Sequence, residues 1–103
     1  MLKWHEHLYV DESICDAGRI RDRLNDNRLT PGVYLLTLSN NPDNLMEILP
    51  AVSLKQKAAR DLCPVIFGMA GSKDSAIELA CRILREVYAE TGAFGIDDYL
   101  KNR

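Results

Sequence analysis

The chain has 103 residues, of which 47% are hydrophobic and 27% are charged, and its formal net charge is −2 at pH 7. This length and composition fit one globular domain with a single core, so we predict one α/β domain over residues 1–103. Charges of both signs alternate along the chain, so its surface offers no general attraction to nucleic acid or to an anionic membrane. No apolar run approaches the ~20 residues of a membrane span, and the first residues lack the apolar region of a signal peptide. We therefore expect a cytoplasmic protein.

The cysteines and histidines give no complete metal site. Cys15, Cys63 and Cys81 are odd in number and far apart, without a CxxC pair, which indicates reduced thiols. His5 and His7 have the i,i+2 spacing that can hold a metal from one face of a strand, but no second motif completes a tetrahedral set. We predict no metal and no cofactor.

The first 30 residues are predicted to form a strand and a helix. Residues 4–10 (WHEHLYV) are rich in aromatic and β-branched types, as strands are. Asp11 or Ser13 then opens a helix with a narrow apolar stripe, and Ser13 and Asp16 have the spacing of a capping box. The rest of this helix is charged, which is typical of a solvated surface.

The middle of the chain is predicted to contain a strand and a kinked helix. After a turn at Thr30-Pro31-Gly32, residues 33–38 (VYLLTL) are almost continuously apolar, as in a strand covered on both faces. An Asn cap and Pro42 at the first helical position then begin a helix with apolar residues from Leu45 to Leu62. Because Pro50 lies inside it, we expect a kink or two short helices that meet near Leu49.

Residues 65–92 form the best-specified unit, with a buried strand (VIFGMA), a glycine turn and a long amphipathic helix. The helix is predicted over about residues 75–91, with Ser72 or Asp74 as its cap and Gly92 at its end. Its apolar face is assigned these residues: Ala76, Ile77, Ala80, Ile83, Leu84, Val87 and Tyr88. Cys81 lies next to this stripe and is expected to be a small core residue. The apolar tail after Gly92 is expected to dock as a short helix.

The order of elements predicts a small βαβαβα sandwich, with a two- or three-stranded, mainly parallel sheet covered by helices. In this arrangement the strands that begin at Val33 and Val65 lie side by side and run in the same direction. Such a small sheet leaves exposed edges, which pair with other chains unless they are blocked. We therefore expect a homodimer.

The carboxyl edge of a parallel sheet is where open α/β sheets bind ligands. Two loops would meet there, Ser39-Asn40-Asn41 and Gly71-Ser72-Lys73-Asp74, each before a helix whose first-turn amides favour anions. Lys73 adds a positive charge. These seven residues are the candidate ligand site for a phosphate-bearing or other anionic small molecule, and no catalytic residue is predicted.

Residues 70–75 (AGSKDS) carry one resemblance. The segment is similar to the S-G-G-x-D-S loop of the ATP pyrophosphatase (PP-loop) family, in which the loop holds the pyrophosphate of ATP. Gly71, Asp74 and Ser75 match that loop. Ala70 replaces a serine and Ser72 replaces a glycine, which removes a hydroxyl and restricts close approach of the backbone to phosphate. The match covers six residues, and we assign no family from it.

Two functions from different classes follow from these patterns. The favoured one is a non-catalytic interaction or regulatory domain that self-associates through apolar surface left by its small sheet. The alternative is a binder of an anionic small ligand at the two loops, which could also be an enzyme.

Overall fold

The computed structural model describes residues 2–28, 30–39, 44–92 and 95–101, which form a four-stranded sheet packed with helices. The strands are β1 (Trp4–Val10), β2 (Tyr34–Thr37), β3 (Glu47–Pro50) and β4 (Ile66–Ala70). The helices are α1 (Ala17–Asn25), α2 (Lys57–Asp61), α3 (Lys73–Thr91) and α4 (Ile96–Lys101), with a 3₁₀ helix at Ala51–Lys55. The predicted α/β class, the first strand and the docked C-terminal helix are therefore confirmed. None of the helices in these ranges is both long and apolar enough to cross a bilayer.

The sheet is mixed rather than mainly parallel. Its strand order is β1-β4-β2-β3, with β1 parallel to β4, and with β2 antiparallel to both β4 and β3. Tyr34 pairs with Ala70, and Thr37 pairs with Ile66. The expectation that β2 and β4 run in the same direction is therefore wrong. A continuous apolar run shows that both faces of a strand are covered, but it does not determine the direction of the strand.

The predicted kinked helix over residues 45–62 is also wrong in its first half. Residues Glu47–Pro50 form β3, which pairs with β2 at the edge of the sheet that the described residues form, and short helical turns follow it. Pro50 ends this strand, where the missing N–H costs nothing because an edge strand has hydrogen bonds on one side only. Ile48 packs with one core cluster and Leu49 with the other, as the alternation of a strand requires. The predicted Asn cap and Pro42 lie outside the described residues.

Helix α1 begins later than predicted because a turn precedes it. The Asp11 carboxylate accepts the backbone N–H of Ser13 at 3.0 Å, which holds residues 11–13 in a turn instead of a first helical turn. Asp16 is the actual N-cap, and its carboxylate accepts the N–H of Arg19 at 3.1 Å. Asp16 had been expected inside the helix as the second member of a capping box.

Two apolar clusters make up the core. In the first, α3 and α4 pack with residues of β1, β2 and β4, and its buried members include Tyr9, Leu36, Phe67, Ile83 and Ile96. In the second, α1 and the 3₁₀ helix pack with other residues of the same strands, including Leu24, Leu35, Leu54, Ile66 and Met69. Since neighbouring residues of β2 belong to different clusters, the sheet separates the two.

Strand β4 contains a bulge at Phe67. The consecutive residues Leu36 and Thr37 of β2 pair with Gly68 and Ile66, which leaves Phe67 as an extra residue on β4. The bulge turns Phe67 toward the α3 cluster, and a Cβ built on Gly68 would point toward Leu36 of that same cluster. Two successive positions of β4 thus face α3, which a regular strand does not allow.

Candidate functional site

Ser39 and Gly71, with which the two predicted loops begin, lie at opposite ends of the central strands. Ser39 follows the end of β2 that pairs with Ile66, whereas Gly71 follows the other end of β4. At about 3.3 Å per residue, the four-residue step along β4 separates these ends by roughly 13 Å. The Ser39 hydroxyl donates to the Glu47 carboxylate at 3.3 Å. Asn40 and Asn41 lie outside the described residues. The shared corner on which the two-loop site depended is therefore not formed.

The second loop, Gly71 to Asp74, uses its polar groups to build the fold. The Gly71 N–H donates to the Ser13 hydroxyl at 2.9 Å, and the Ser72 hydroxyl caps α3 by accepting the N–H of Ser75 at 3.0 Å. Lys73 and Asp74 are exposed in the first turn of α3, so a positive and a negative charge stand side by side there. Anion binding at this loop stays a prediction.

The loop after β1 is hydrogen-bonded to the loop after β4. Because β1 and β4 are parallel neighbours, their carboxyl ends lie together, and the Asp11 N–H donates to the Met69 carbonyl at 2.9 Å. Gly71 donates to Ser13, and the Ser13 hydroxyl donates to the Asp11 carboxylate. A Cβ at Gly71 would lie 2.9 Å from Ser13 Oγ and 3.2 Å from its carbonyl oxygen, so the contact requires glycine. We call this hydrogen-bonded contact between the two loops the junction. The Asp-x-Ser spacing of Asp11 and Ser13 was its one sequence signal.

These hydrogen bonds affect the charge of Asp11. The hydroxyl and the backbone N–H of Ser13 both donate to its carboxylate and lower its pKa below the ordinary 3.8, and the positive charge of Arg82 adds to this effect. Donors that favour the ionised carboxylate stabilise the folded chain only while Asp11 is charged.

The depressed pKa predicts that acid weakens the junction. A carboxyl whose pKa is lower in the folded chain contributes stability above its unfolded pKa and loses it as the pH falls through the folded value. The unfolding free energy should therefore decrease below about pH 4, and Asp11→Asn should remove part of this decrease. Urea unfolding at pH 5 and pH 3 measures both. Asp22→Asn, at an exposed position of α1, is the control, and an equal effect of the two variants would contradict the role of Asp11.

His5 holds the N-terminal edge strand against α4. His5 Nδ1 accepts the backbone N–H of His7 at 3.0 Å, and His5 Nε2 lies 3.0 Å from the carbonyl oxygen of Leu100. The neutral tautomer with hydrogen on Nε2 satisfies both contacts. Within the described ranges, no group of three or more His, Cys, Asp or Glu side chains is placed to hold a metal ion.

A groove of about 700 Å³ runs between the end of β1 and α3. Asp11 and Glu12 line one side, while Glu78, Arg82 and Arg85 line the other. The Tyr9 hydroxyl donates to the Glu86 carboxylate and ties β1 to α3 beside it. Its charges are mixed in sign, so the groove does not select an anion or a cation.

Models of protein families, curated proteins and solved structures were compared with the chain, and none matches. Functional inference therefore depends on the surface itself.

Helix α3 carries a second apolar stripe that lies mostly outside the core, although Leu84 in it packs against the first cluster. Its core stripe consists of buried residues: Ala76, Leu79, Ala80, Ile83 and Val87. The second stripe, which we call the outer stripe, consists of Ile77, Cys81, Leu84 and Tyr88. Ile77 is 44% exposed and Tyr88 is 53% exposed, Cys81 is exposed, and Leu84 is half-buried. A surface pocket of about 480 Å³ lies along its C-terminal half.

The outer stripe corrects the predicted core. Ile77 and Tyr88 were assigned to the buried face of the helix, and Cys81 was expected to be a core residue, but all three are exposed. At 100° per residue, the apolar residues from Leu79 round to Cys81 cover about 200° of the helix circumference. A sheet cannot cover so wide an arc, and this width was the available signal of a second face.

Proposed function

We propose that the protein is a non-catalytic interaction domain that associates with a second copy of itself through the outer stripe of α3. One observation carries the proposal: the longest helix of the fold presents an apolar row to solvent although its core stripe is already complete. Contiguous apolar surface beyond scattered single residues is typical of an interaction site.

The spacing of the outer stripe favours another helix as its partner. Its four residues recur at intervals of four, three and four, the pattern with which apolar residues form a seam between two packed helices. Tyr88 supplies a large amphipathic ring, the residue type enriched at the centres of interfaces. A second copy offers the same seam, so the surface is self-complementary, as a two-fold interface requires.

The proposal predicts a dimer in sedimentation equilibrium, at twice the 11.6 kDa mass of the chain. Replacing Ile77 by serine should weaken the dimer about a hundredfold, because a half-exposed aliphatic side chain at an interface contributes roughly 1–2 kcal/mol of burial and a two-fold interface contains it twice.

Leu62→Ser is the matched control, since Leu62 is 72% exposed and lies outside α3. It should leave the dissociation constant unchanged. A monomer at every concentration up to the millimolar range would contradict the proposal.

A further inference from the structure

We infer, on the basis of the proposed self-association, that two copies pack α3 against α3 in an antiparallel, two-fold arrangement in which Glu78 of each copy meets Arg85 of the other. The occupant of the outer stripe is then a second copy of this chain. The charges beside the stripe support this orientation.

The charges lie along one edge of the outer stripe. Seen down the helix axis, the centre of the outer stripe lies about 120° from the centre of the core stripe. A row of charged residues lies another roughly 50–90° beyond the outer stripe, on the side away from the core stripe: Asp74, Glu78 and Arg85. All three are exposed. Along this edge the N-terminal half is acidic and the C-terminal half carries Arg85. Each edge thus has both charge signs at different heights.

An antiparallel two-fold brings these opposite charges together. The two-fold axis crosses the pair at the height midway between Arg82 and Ile83. At this register Ile77 lies opposite Tyr88 of the second copy, and Cys81 lies opposite Leu84. The charged edges of the two helices then lie next to each other on one side of the pair. At 1.5 Å per residue, Glu78 stands within about 3 Å of Arg85 of the second copy along the helix axis. Two symmetric ion pairs therefore flank the seam.

A parallel pair would lose these contacts. In a parallel two-fold the charged edge of one helix faces the opposite edge of the other. At its N-terminal end that edge carries Lys73, which would stand beside Asp74 of the other copy, but near Glu78 and Arg85 it carries Ala80 and Leu84 and no charge. A parallel pair would also bring together the two helix N-termini, which carry the same partial charge. The ion pairs beside the middle of the seam and the opposed helix dipoles therefore favour the antiparallel arrangement, since matched charges mainly set the orientation of such interfaces.

Charge reversal tests the orientation. Glu78→Arg and Arg85→Glu should each weaken the dimer about tenfold in sedimentation equilibrium, because each places like charges opposite one another at two symmetric contacts. The double variant restores the pairs with inverted sign and should return to within about threefold of the original chain. Asp22→Arg and Arg21→Glu make the same charge changes on exposed positions of α1 and should have no effect.

The outcomes separate the two proposals. A chain that is monomeric throughout overturns both. A dimer that none of the three α3 variants affects leaves self-association in place and overturns the antiparallel α3 contact. Single variants that weaken the dimer together with a double variant that does not recover also overturn the contact, since the loss then has another cause.

Thiol labelling tests the same contact without any substitution. Cys81 lies in the outer stripe and Cys15 lies before α1, and both are exposed in the single chain. As the protein concentration passes the dissociation constant, iodoacetamide labelling of Cys81 should slow several-fold, whereas labelling of Cys15 should not change. Mass spectrometry of the two peptides gives both rates in one sample. Equal behaviour of the two thiols at all concentrations would overturn the inference.

Discussion

Replacing Phe67 by alanine is expected to lower the free energy of unfolding by about 4 kcal/mol, because the change removes a whole ring from a fully buried site. Phe67 is 0% exposed and belongs to the cluster beneath α3. A domain of this size has a total stability of only about 5–15 kcal/mol. Urea unfolding at neutral pH, followed by far-ultraviolet circular dichroism, measures the difference.

Leu62→Ala is the control for this truncation. Leu62 is 72% exposed, so the loss of its side chain should change the unfolding free energy by less than about 0.5 kcal/mol. If both variants lost the same free energy, the ring of Phe67 would not be packed in a core. The same experiment on Phe67→Leu should give a smaller loss, since leucine fills part of the space.

The elements that could be predicted from sequence are those set by local contacts. The Ser72 hydroxyl caps α3 within its own first turn, and Gly92 ends the helix with a positive φ of 74°. The aromatic and β-branched run of residues 4–10 likewise forms its strand as expected. Each of these signals needs only neighbours within a few residues.

The direction of β2 could not be predicted, because strand pairing depends on distant residues. Its apolar run shows that both faces are buried, but its direction depends on β3, which returns antiparallel beside it. The chain then crosses to the other side of β2 and enters β4 in the same direction as β3, so β4 is antiparallel to β2. Residues 47–50 had been assigned to a helix, so the partner that sets the direction was missed. With β2 reversed, Ser39 lies at the other end of the sheet from Gly71, so the shared edge that the two-loop prediction assumed is absent.

The outer stripe of α3 could not be separated from the core for a similar reason. Periodicity shows which residues share a side of a helix, but the fraction of that side that a sheet covers depends on the width of the sheet. Ile77 and Val87 look equivalent in sequence, yet Val87 is 0% exposed and Ile77 is 44% exposed. Ile77, Leu84 and Tyr88 of the outer stripe were therefore contained in the predicted apolar face, and only the fold could divide that face.

Strand β4 also requires glycine at position 68, and Gly68→Ala is expected to lower the free energy of unfolding by about 2 kcal/mol. A Cβ there would lie 2.7 Å from Leu36 Cδ1 and 3.0 Å from Leu36 Cβ. Leu36 is itself 0% exposed, so its side chain has no open space into which it could move. The bulge at Phe67 causes this crowding, since it leaves positions 67 and 68 on the same side of the sheet.

The same substitution at Gly18 should have the opposite sign. A Cβ at Gly18 meets nothing closer than Asp16 Oδ1 at 3.7 Å, and the residue lies in the first turn of α1. Alanine there should raise the unfolding free energy by about 0.5 kcal/mol, because glycine loses more backbone entropy in a helix. Urea unfolding of both variants compares identical chemical changes in two environments. If Gly18→Ala and Gly68→Ala lowered the unfolding free energy by the same amount, crowding would not distinguish the two sites. The bulge would then not be the reason that β4 requires glycine.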